Sequence, residues 1–434
     1  MIKKLNSKQE TFKDDFLNLI SVSEPDQVKI SQIVKQIIED VKLNGDFAVA
    51  EYSRKFDGNS FSGVKQISLD DDMKQRILRA GSKDQISAME NAHDRIRRYH
   101  THQKIDPYSY TDSNGSNFSM RVLPLEKVGI YVPGGKAAYP SSVMMNAVPA
   151  SVAGVNEIVM VVPSINGEIN ELVLAAAAIS GVDKIFNIGG AQAIAALAFG
   201  TQSVPRVDKI VGPGNAYVAE AKRQVFGSVG IDMVAGPSEI LIIADESANP
   251  EWITMDLFSQ AEHDELAQAI LISPSDDLID QVGKCIPNML PKMSRVEIIR
   301  ESLNRNGALV KVKDMDEACA LANQIAPEHL ELAVNNPSEL ISKIKNAGSI
   351  FAGKFSSEAL GDYCAGPNHV LPTSGSARFS SGLSVFDFLK RTSVINVSKE
   401  GAEELGPIAS TLARGETLTA HALAAELRFK KGGI

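Results

Sequence analysis

The sequence predicts an α/β fold built on parallel sheets. Three observations carry that prediction. From Val128 onward short apolar strands alternate with helical stretches, several of the strands run into Gly-rich turns, and the alternation restarts after Ala235 to give two similar halves. A charged helical region, residues 1–125, precedes the halves, and a shorter tail, residues 379–434, follows them.

In the first region the clearest helix is Gln27–Asn44. Ile30, Ile33, Val34, Ile37, Ile38 and Val41 fall on one stripe of 3.6-residue period, and Gly45 ends it. Residues 71–102 read as helix, and residues 106–117, rich in Ser, Asp and Asn, as a loop or connection. The first half then runs strand 128–132, helix 141–155, strand 157–162, helix 169–180, strand 184–188, helix 191–199, strand 208–212, helix 215–226. The second runs strand 239–245, helix 250–266, strand 269–273, a helix from Asp276, strand 308–312, a helix from Asp314, strand 329–334, a helix from Pro337, strand 349–353. Pro-Ser closes a strand at 163–164 and again at 274–275. Duplication of one unit and ordinary turn chemistry both produce such a pair. In the tail, residues 420–428 are Ala-rich and amphipathic, which suits docking on a partner subunit or on the same chain.

Composition bounds the function. With 434 residues, 44% hydrophobic and 22% charged, the chain is that of a globular protein with several domains' worth of core. A net charge of -9 offers no attraction to nucleic acid or to an anionic membrane, so neither is an expected partner. Cys285, Cys319 and Cys364 form no CxxC pair, which excludes a disulfide framework and a thiolate zinc finger. No apolar run reaches the roughly 18 residues of a membrane span. The best stretch, 142–155, is interrupted by Asn146 and Pro149, and the amino terminus is charged where a signal peptide is apolar. The expected location is the cytoplasm.

Seven histidines are present. His93, His100 and His102 sit in the charged helical region and read as a solvated face. His263, His329, His369 and His421 each stand beside polar residues, as structural histidines and site histidines both do. Gln260 and His263, three apart on a predicted helix, project from one face and could reach a common cation. Glu328 and His329 are neighbours after Pro327, a carboxylate and an imidazole placed for proton relay or water activation, or simply a polar loop. Gly-rich turns at 134–135, 189–190, 212–214 and 236–238 allow close backbone approach of a ligand, and none is the GxGxxG fingerprint. Cys364, two residues after Asp362, could be imagined as a nucleophile but has nothing nearby to activate it.

Over residues 128–428 the motifs GIYVPGG, IGGAQAIAALAFGT, PRVDKIVGPGNAYVAEAKRQVFG, IDMVAGPSEILIIAD, DLFSQAEHD, APEHLEL and GDYCAGPNHVLPT make the chain similar to the histidinol dehydrogenases. The resemblance implies two incomplete Rossmann-like domains with helical N-terminal and small C-terminal extensions, in an intertwined homodimer. The expected divisions are 1–125, 126–237 (the NAD side), 238–378 (zinc and catalytic residues) and 379–434 (reaching the partner). It implies oxidation of L-histidinol to L-histidine through an enzyme-held aldehyde, with reduction of two NAD. The zinc ligands it implies are Gln260, His263, Asp362 and, across the dimer interface, His421. Glu328 and His329 match the catalytic pair; Ser238, His369 and Glu416 match substrate contacts beside the metal ligands and His329; Tyr131, Gln192 and Asn215 match NAD contacts. One departure stands out: Thr417 follows Glu416 where the family often reads Gly. The rival readings are a same-family dehydrogenase of another small polar alcohol such as a sulfonated diol, a zinc hydrolase using Glu328, and a non-catalytic binding protein of the same shape.

Overall fold

The structure, a computed structural model, describes residues 2–21, 27–57, 63–134, 139–163 and 168–430. The strands there are β1 (Lys3–Asn6), β2 (Gln66–Ser68), β3 (Tyr108–Thr111), β4 (Asn117–Pro124), β5 (Lys127–Tyr131), β6 (Glu157–Val161), β7 (Lys184–Phe186), β8 (Lys209–Val211), β9 (Gly230–Ile231), β10 (Glu239–Ala244), β11 (Gln268–Ser273), β12 (Ala308–Lys311), β13 (His329–Ala333), β14 (Ser349–Ala352) and β15 (Leu389–Asn396). The chain divides into two compact units, Met1–Gln103 with Glu126–Asp387, and Lys104–Leu125 with Phe388–Ile434.

The first unit carries two six-stranded sheets, ordered β2-β7-β6-β5-β8-β9 and β1-β12-β11-β10-β13-β14. All neighbours are parallel except β2, which runs antiparallel to β7. Counting from β5 in one sheet and β10 in the other, both place the next two strands of their half on one side and the following two on the other. In each sheet the order therefore reverses once, beside β5 and beside β10.

The strands are apolar runs because helices cover both faces. Every residue of β10 is buried, with Ile240, Ile242 and Ala244 in one core layer and Leu241 and Ile243 in the other. The N-terminal helix Gln27–Asn44 buries Val34, Ile37, Ile38 and Val41 in the same core layer as the Ala-rich helix Gly190–Phe199. That stripe is the one its periodicity predicts. Residues 1–125 are not one layer: β1 joins the second sheet and β2 the first, pairings whose partners lie far along the chain.

Several local expectations change. The 71–102 helix breaks at Gly81–Ser82 into Asp71–Ala80 and Lys83–Thr101. His100 is wholly buried rather than solvated, its Nδ1 2.7 Å from Gln103 Oε1 and its Nε2 3.4 Å from Asn368 Nδ2. Burial lowers its pKa, so the ring is neutral. Residues 106–117 contain β3 and the start of β4. Among the described residues no helix is long and apolar enough to cross a membrane.

In the second unit β15, β4 and β3 form an antiparallel sheet, with Leu389 opposite Pro124 and Asn396 opposite Asn117. The helix Lys399–Gly415 is capped by the Ser398 side chain and pairs with Thr419–Glu426 through Ser410 and Arg414, both bonded to the Glu426 carboxylate. Thr417, between the two helices, has φ +62°, a left-handed conformation that costs a β-branched residue about 1–2 kcal/mol. A glycine at this position would have no Cβ to clash. Thr417→Gly is therefore expected to stabilise the protein by about 1 kcal/mol, read as a thermal midpoint a few degrees higher; an unchanged or lower midpoint would contradict the strain.

Candidate active site

The helix Met315–Ile325 ends on Ala326 in the left-handed region, and Pro327 forbids its continuation. Glu328 follows, and His329 opens β13 opposite Ile240 of β10. Both side chains are buried. The backbone of one β10 residue holds them: the Glu239 N–H donates to Glu328 Oε2 at 2.9 Å, and His329 Nδ1 lies 3.0 Å from the Glu239 carbonyl oxygen. A carbonyl oxygen only accepts, so Nδ1 carries a hydrogen and Nε2 is the nitrogen that takes up and gives back the ring's second proton.

Nε2 has no hydrogen-bond partner and lies 3.6 Å from Asp362 Oδ1, itself buried and unpartnered. Glu358 Oε1 is 3.6 Å from Nδ1, and one donor atom each from His329, Glu358 and Asp362 fall within 4.8 Å of one another. Burial pushes Glu328 and Glu358 up to about 8 and Glu239 up to about 7. For His329 burial alone would depress the pKa, but the carboxylates of Glu358, Glu328 and Asp362 reverse this and raise it well above the ordinary imidazole value. Asp362 goes the other way: burial opposes ionisation, yet contact with His329 and the charges of His369 and His263 hold its carboxyl below the usual range.

Gln260 is wholly buried in the last turn of the helix Pro250–Ala261. In the amide orientation that satisfies its neighbours, its nitrogen donates to the Glu239 carbonyl at 3.0 Å and to Glu358 Oε1 at 2.9 Å. The predicted helix to Leu266 stops at Ala261, so His263 is not on the helical face with Gln260; it sits in the following turn, its N–H donating to the Gln260 carbonyl at 3.2 Å. The His263 ring keeps an accessible edge, and the protein packed around it lowers its pKa by desolvation. His369 is likewise lowered by burial, with Nδ1 3.0 Å from the Asp362 carbonyl oxygen. Two neutral imidazoles thus flank an ionised carboxylate.

Ser238 precedes β10, and its carbonyl accepts from Gln268 N at 2.9 Å. The Gly-rich turn 236–238 lies at the amino end of β10, not the carboxyl end of a strand, because the preceding strand β9 stops at Ile231. Glu328, His329, Glu239 and Ser238 all meet at that amino end. Glu416 and His421 belong to the second unit, where both are exposed, Glu416 at the end of Lys399–Gly415 and His421 within Thr419–Glu426.

The first sheet keeps its Gly-rich turns at carboxyl ends. Its order reverses between β5 and β8, and a crevice at such a reversal is where open α/β sheets take ligands. Tyr131 ends β5 with its hydroxyl accepting from Gly190 N at 3.1 Å, and burial pushes its pKa up to about 12. Gln192, in the first turn of Gly190–Phe199, is buried with both amide atoms unpartnered. Asn215 caps the helix Ala216–Val225, Oδ1 accepting from Tyr217 N and Val218 N at 3.1 Å each. Gly212 has φ +108°, and a Cβ there would lie 2.2 Å from the Tyr131 carbonyl oxygen, so only glycine fits between these two turns. The fully buried Lys222–Asp232 ion pair grips the same glycine from both sides, Lys222 Nζ donating to its carbonyl and Asp232 Oδ2 accepting from its N–H, each at 2.8 Å. Gly135 of the turn after β5 lies outside the described residues, as does Ser164.

Two site residues escaped the sequence reading. Glu239 shows one signal, a charge opening the otherwise apolar run EILIIA. Glu358 shows none, since SSEAL is an ordinary helix start. Cys364 offers the site its neighbourhood only, its carbonyl accepting from Arg95 Nε at 2.7 Å.

The family model for histidinol dehydrogenase matches residues 21–429. The histidinol dehydrogenase of Dechloromonas aromatica is 57% identical over 429 residues, covering 99% of both chains. That of Pseudomonas fluorescens is 56% identical over 428 residues, covering 99% of this chain and 97% of the relative. The crystal structure of histidinol dehydrogenase from Elizabethkingia anophelis superposes with a TM-score of 0.90 at 36% identity, over 98% of each chain. Alignment from end to end, at this identity and with this agreement of fold, shows that the chain belongs to the histidinol dehydrogenase family.

Proposed function

We propose that the chain oxidises L-histidinol to L-histidine by way of an enzyme-held aldehyde, with NAD as the hydride acceptor in both steps and a zinc ion at the substrate. The observation that carries this reading is the pinned His329: Nδ1–H held by a backbone carbonyl, basic Nε2 unpartnered and facing Asp362. Such a nitrogen is placed to take a proton from a bound hydroxyl.

The residues fit a divalent cation. Asp362 Oδ1 is a buried anionic oxygen without a hydrogen-bond partner, which is costly unless a cation or substrate meets it, and His263 is a neutral imidazole beside it. Gln260, His263 and Asp362, with His421 of a second copy, would hold the zinc; when bound it orients and polarises the substrate oxygen, and NAD accepts the hydride. Tyr131, Gln192 and Asn215 would bind NAD at the β5–β8 reversal. We take residues 126–237 as the cofactor half and 238–378 as the half for metal and catalysis, with 1–125 and 379–434 as their extensions.

His329 removes the hydroxyl proton as hydride leaves. Glu328, held with its carboxylate on the Glu239 N–H, activates the water that adds to the aldehyde, and His329 takes the proton of the hydrated form in the second oxidation. Ser238, His369 and Glu416 orient the substrate. The carboxylate of Asp362, held below the usual range beside His329, suits an amino alcohol and opposes an anionic sulfonated diol. The second unit leaves Ile395 70% and Leu412 65% exposed, apolar surface that a homodimer would cover. The working compartment is the cytoplasm.

The test is stoichiometry. Zinc-loaded protein with L-histidinol is expected to form about two equivalents of NADH per histidinol consumed, to lose this with a chelator and to regain it with zinc. No NADH from zinc-loaded protein would remove the dehydrogenase reading; one equivalent with free aldehyde released would overturn the four-electron reading.

A further inference from the structure

We propose that Glu239 is the positioning residue for the catalytic pair, its side chain setting the backbone N–H and C=O that hold Glu328 and His329 by anchoring the start of β10 to the turn at Thr373–Gly375. The inference rests on the reading of Glu328 and His329 as the catalytic pair.

Glu239 touches neither reacting atom in this arrangement; it acts through its backbone. Its N–H and carbonyl hold Glu328 Oε2 and His329 Nδ1, and the same carbonyl takes the Gln260 amide. The backbone conformation of one residue, whose Cα joins the two peptide groups, therefore sets both catalytic side chains and a metal-side residue. That residue is the very first of β10, where a ladder is least able to fix it. The side chain supplies what the ladder lacks: Oε1 accepts from Ser374 N at 2.8 Å.

A second link runs beside the first. The Gly236 N–H donates to Thr373 Oγ1 at 2.6 Å, and a Cβ on Gly236 would meet Ser374 Oγ at 2.2 Å, so the strap 236–239 lies tight against the turn. The turn is itself held in an unusual shape, with Ser374 at φ +53° and Gly375 at φ +71°. A non-glycine residue kept in the left-handed region is retained where the surroundings over-determine it, and here the strap's two hydrogen bonds act beside those of Ser376 to the Thr373 carbonyl and of Arg378 to the Gly375 carbonyl. Ser238, a proposed substrate contact, lies between the two links.

The experiment compares Glu239→Ala, Glu239→Gln and Glu239→Asp in zinc-loaded enzyme with L-histidinol and NAD, measuring kcat, KM, bound zinc and the thermal midpoint. Gln keeps an oxygen at the reach of Ser374 N without the charge; Asp keeps the charge without the reach. Loss of an outer hydrogen bond of this kind costs activity about 10–100-fold. The expected result is a kcat about 10–100-fold lower in the Ala and Asp variants, with KM and zinc content within about threefold of wild type, and a Gln variant close to wild type. A Gln variant as impaired as Ala would show that charge, not anchoring, matters and would overturn the inference. So would an Ala variant with wild-type kcat, or one whose loss simply follows loss of zinc. If Glu239→Ala does not fold, Thr373→Val decides: it removes the acceptor for Gly236 N, and a kcat several-fold lower at unchanged KM supports the strap, while a wild-type kcat overturns it. Wild-type protein inactive on histidinol would instead remove the functional reading.

Discussion

Glu328→Gln is expected to slow oxidation of histidinaldehyde by about a thousandfold while slowing oxidation of histidinol to the aldehyde by less than about tenfold. The reason is that the amide preserves the shape of the site and removes one chemical ability. A glutamine oxygen still accepts from the Glu239 N–H, so the loop between Pro327 and β13 keeps its anchor. The amide cannot take a proton from water, and only the second oxidation requires water to add. His329→Ala removes the group proposed as the base of both oxidations and is expected to depress both by about a thousandfold or more. Single-turnover NADH formation from histidinol, followed by the same measurement with aldehyde supplied, separates the two steps. Equal losses in Glu328→Gln would reassign Glu328 to orientation of His329.

The contrast between these neighbours also marks where sequence reading reached and where it stopped. Glu328 and His329 stand next to each other, and the pattern of a carboxylate and an imidazole after a proline is visible in any window of the chain. What activates them is not. The Glu239 backbone lies 89 and 90 residues away along the chain and comes into range only through parallel pairing of β10 with β13. Apolar runs such as residues 239–244 are legible because both faces of the strand are buried, a condition that leaves a compositional mark. Pairings between distant strands leave none, which is why residues 106–117 look like a loop while holding β3, and why β1 and β2 pass unseen. His100 reads as solvated for a related reason, since its neighbour Asn368 is 268 residues further on. No glycine or proline separates Ala261 from Leu266, so the sequence predicts a helix running on to Leu266, whereas the chain leaves the helix at Glu262 and turns His263 through a local bond to Gln260. The metal-side residues were reached by resemblance; spacing alone left them as two polar residues on a helix.

Mixing two inactive variants is expected to restore activity if the site is shared between subunits. On this reading each site takes His329, Gln260, His263 and Asp362 from one copy and His421 from the other. A His421→Ala homodimer lacks a metal ligand at both sites, and a His329→Ala homodimer lacks the base at both. In the heterodimer of the two, one site draws His329 from the first chain and His421 from the second, and is complete; the other carries both defects. Random assembly of equal amounts makes half of the dimers mixed, each with one of two sites intact, so activity should recover to about a quarter of wild type. Co-expression with two different tags and purification on both in succession isolates the mixed dimer, where the expected recovery is about half. The arrangement of the same two substitutions on one chain is the sharper control. Paired with a wild-type chain, the double variant supplies neither its own His329 nor the His421 that its partner's site needs, so both sites are defective and the mixed dimer should be inactive. A site complete within each chain demands the opposite in both cases: no recovery when the substitutions are on separate chains, and half activity when they are together. The two experiments therefore exchange their outcomes between the hypotheses, and a folding defect in either variant cannot mimic that exchange.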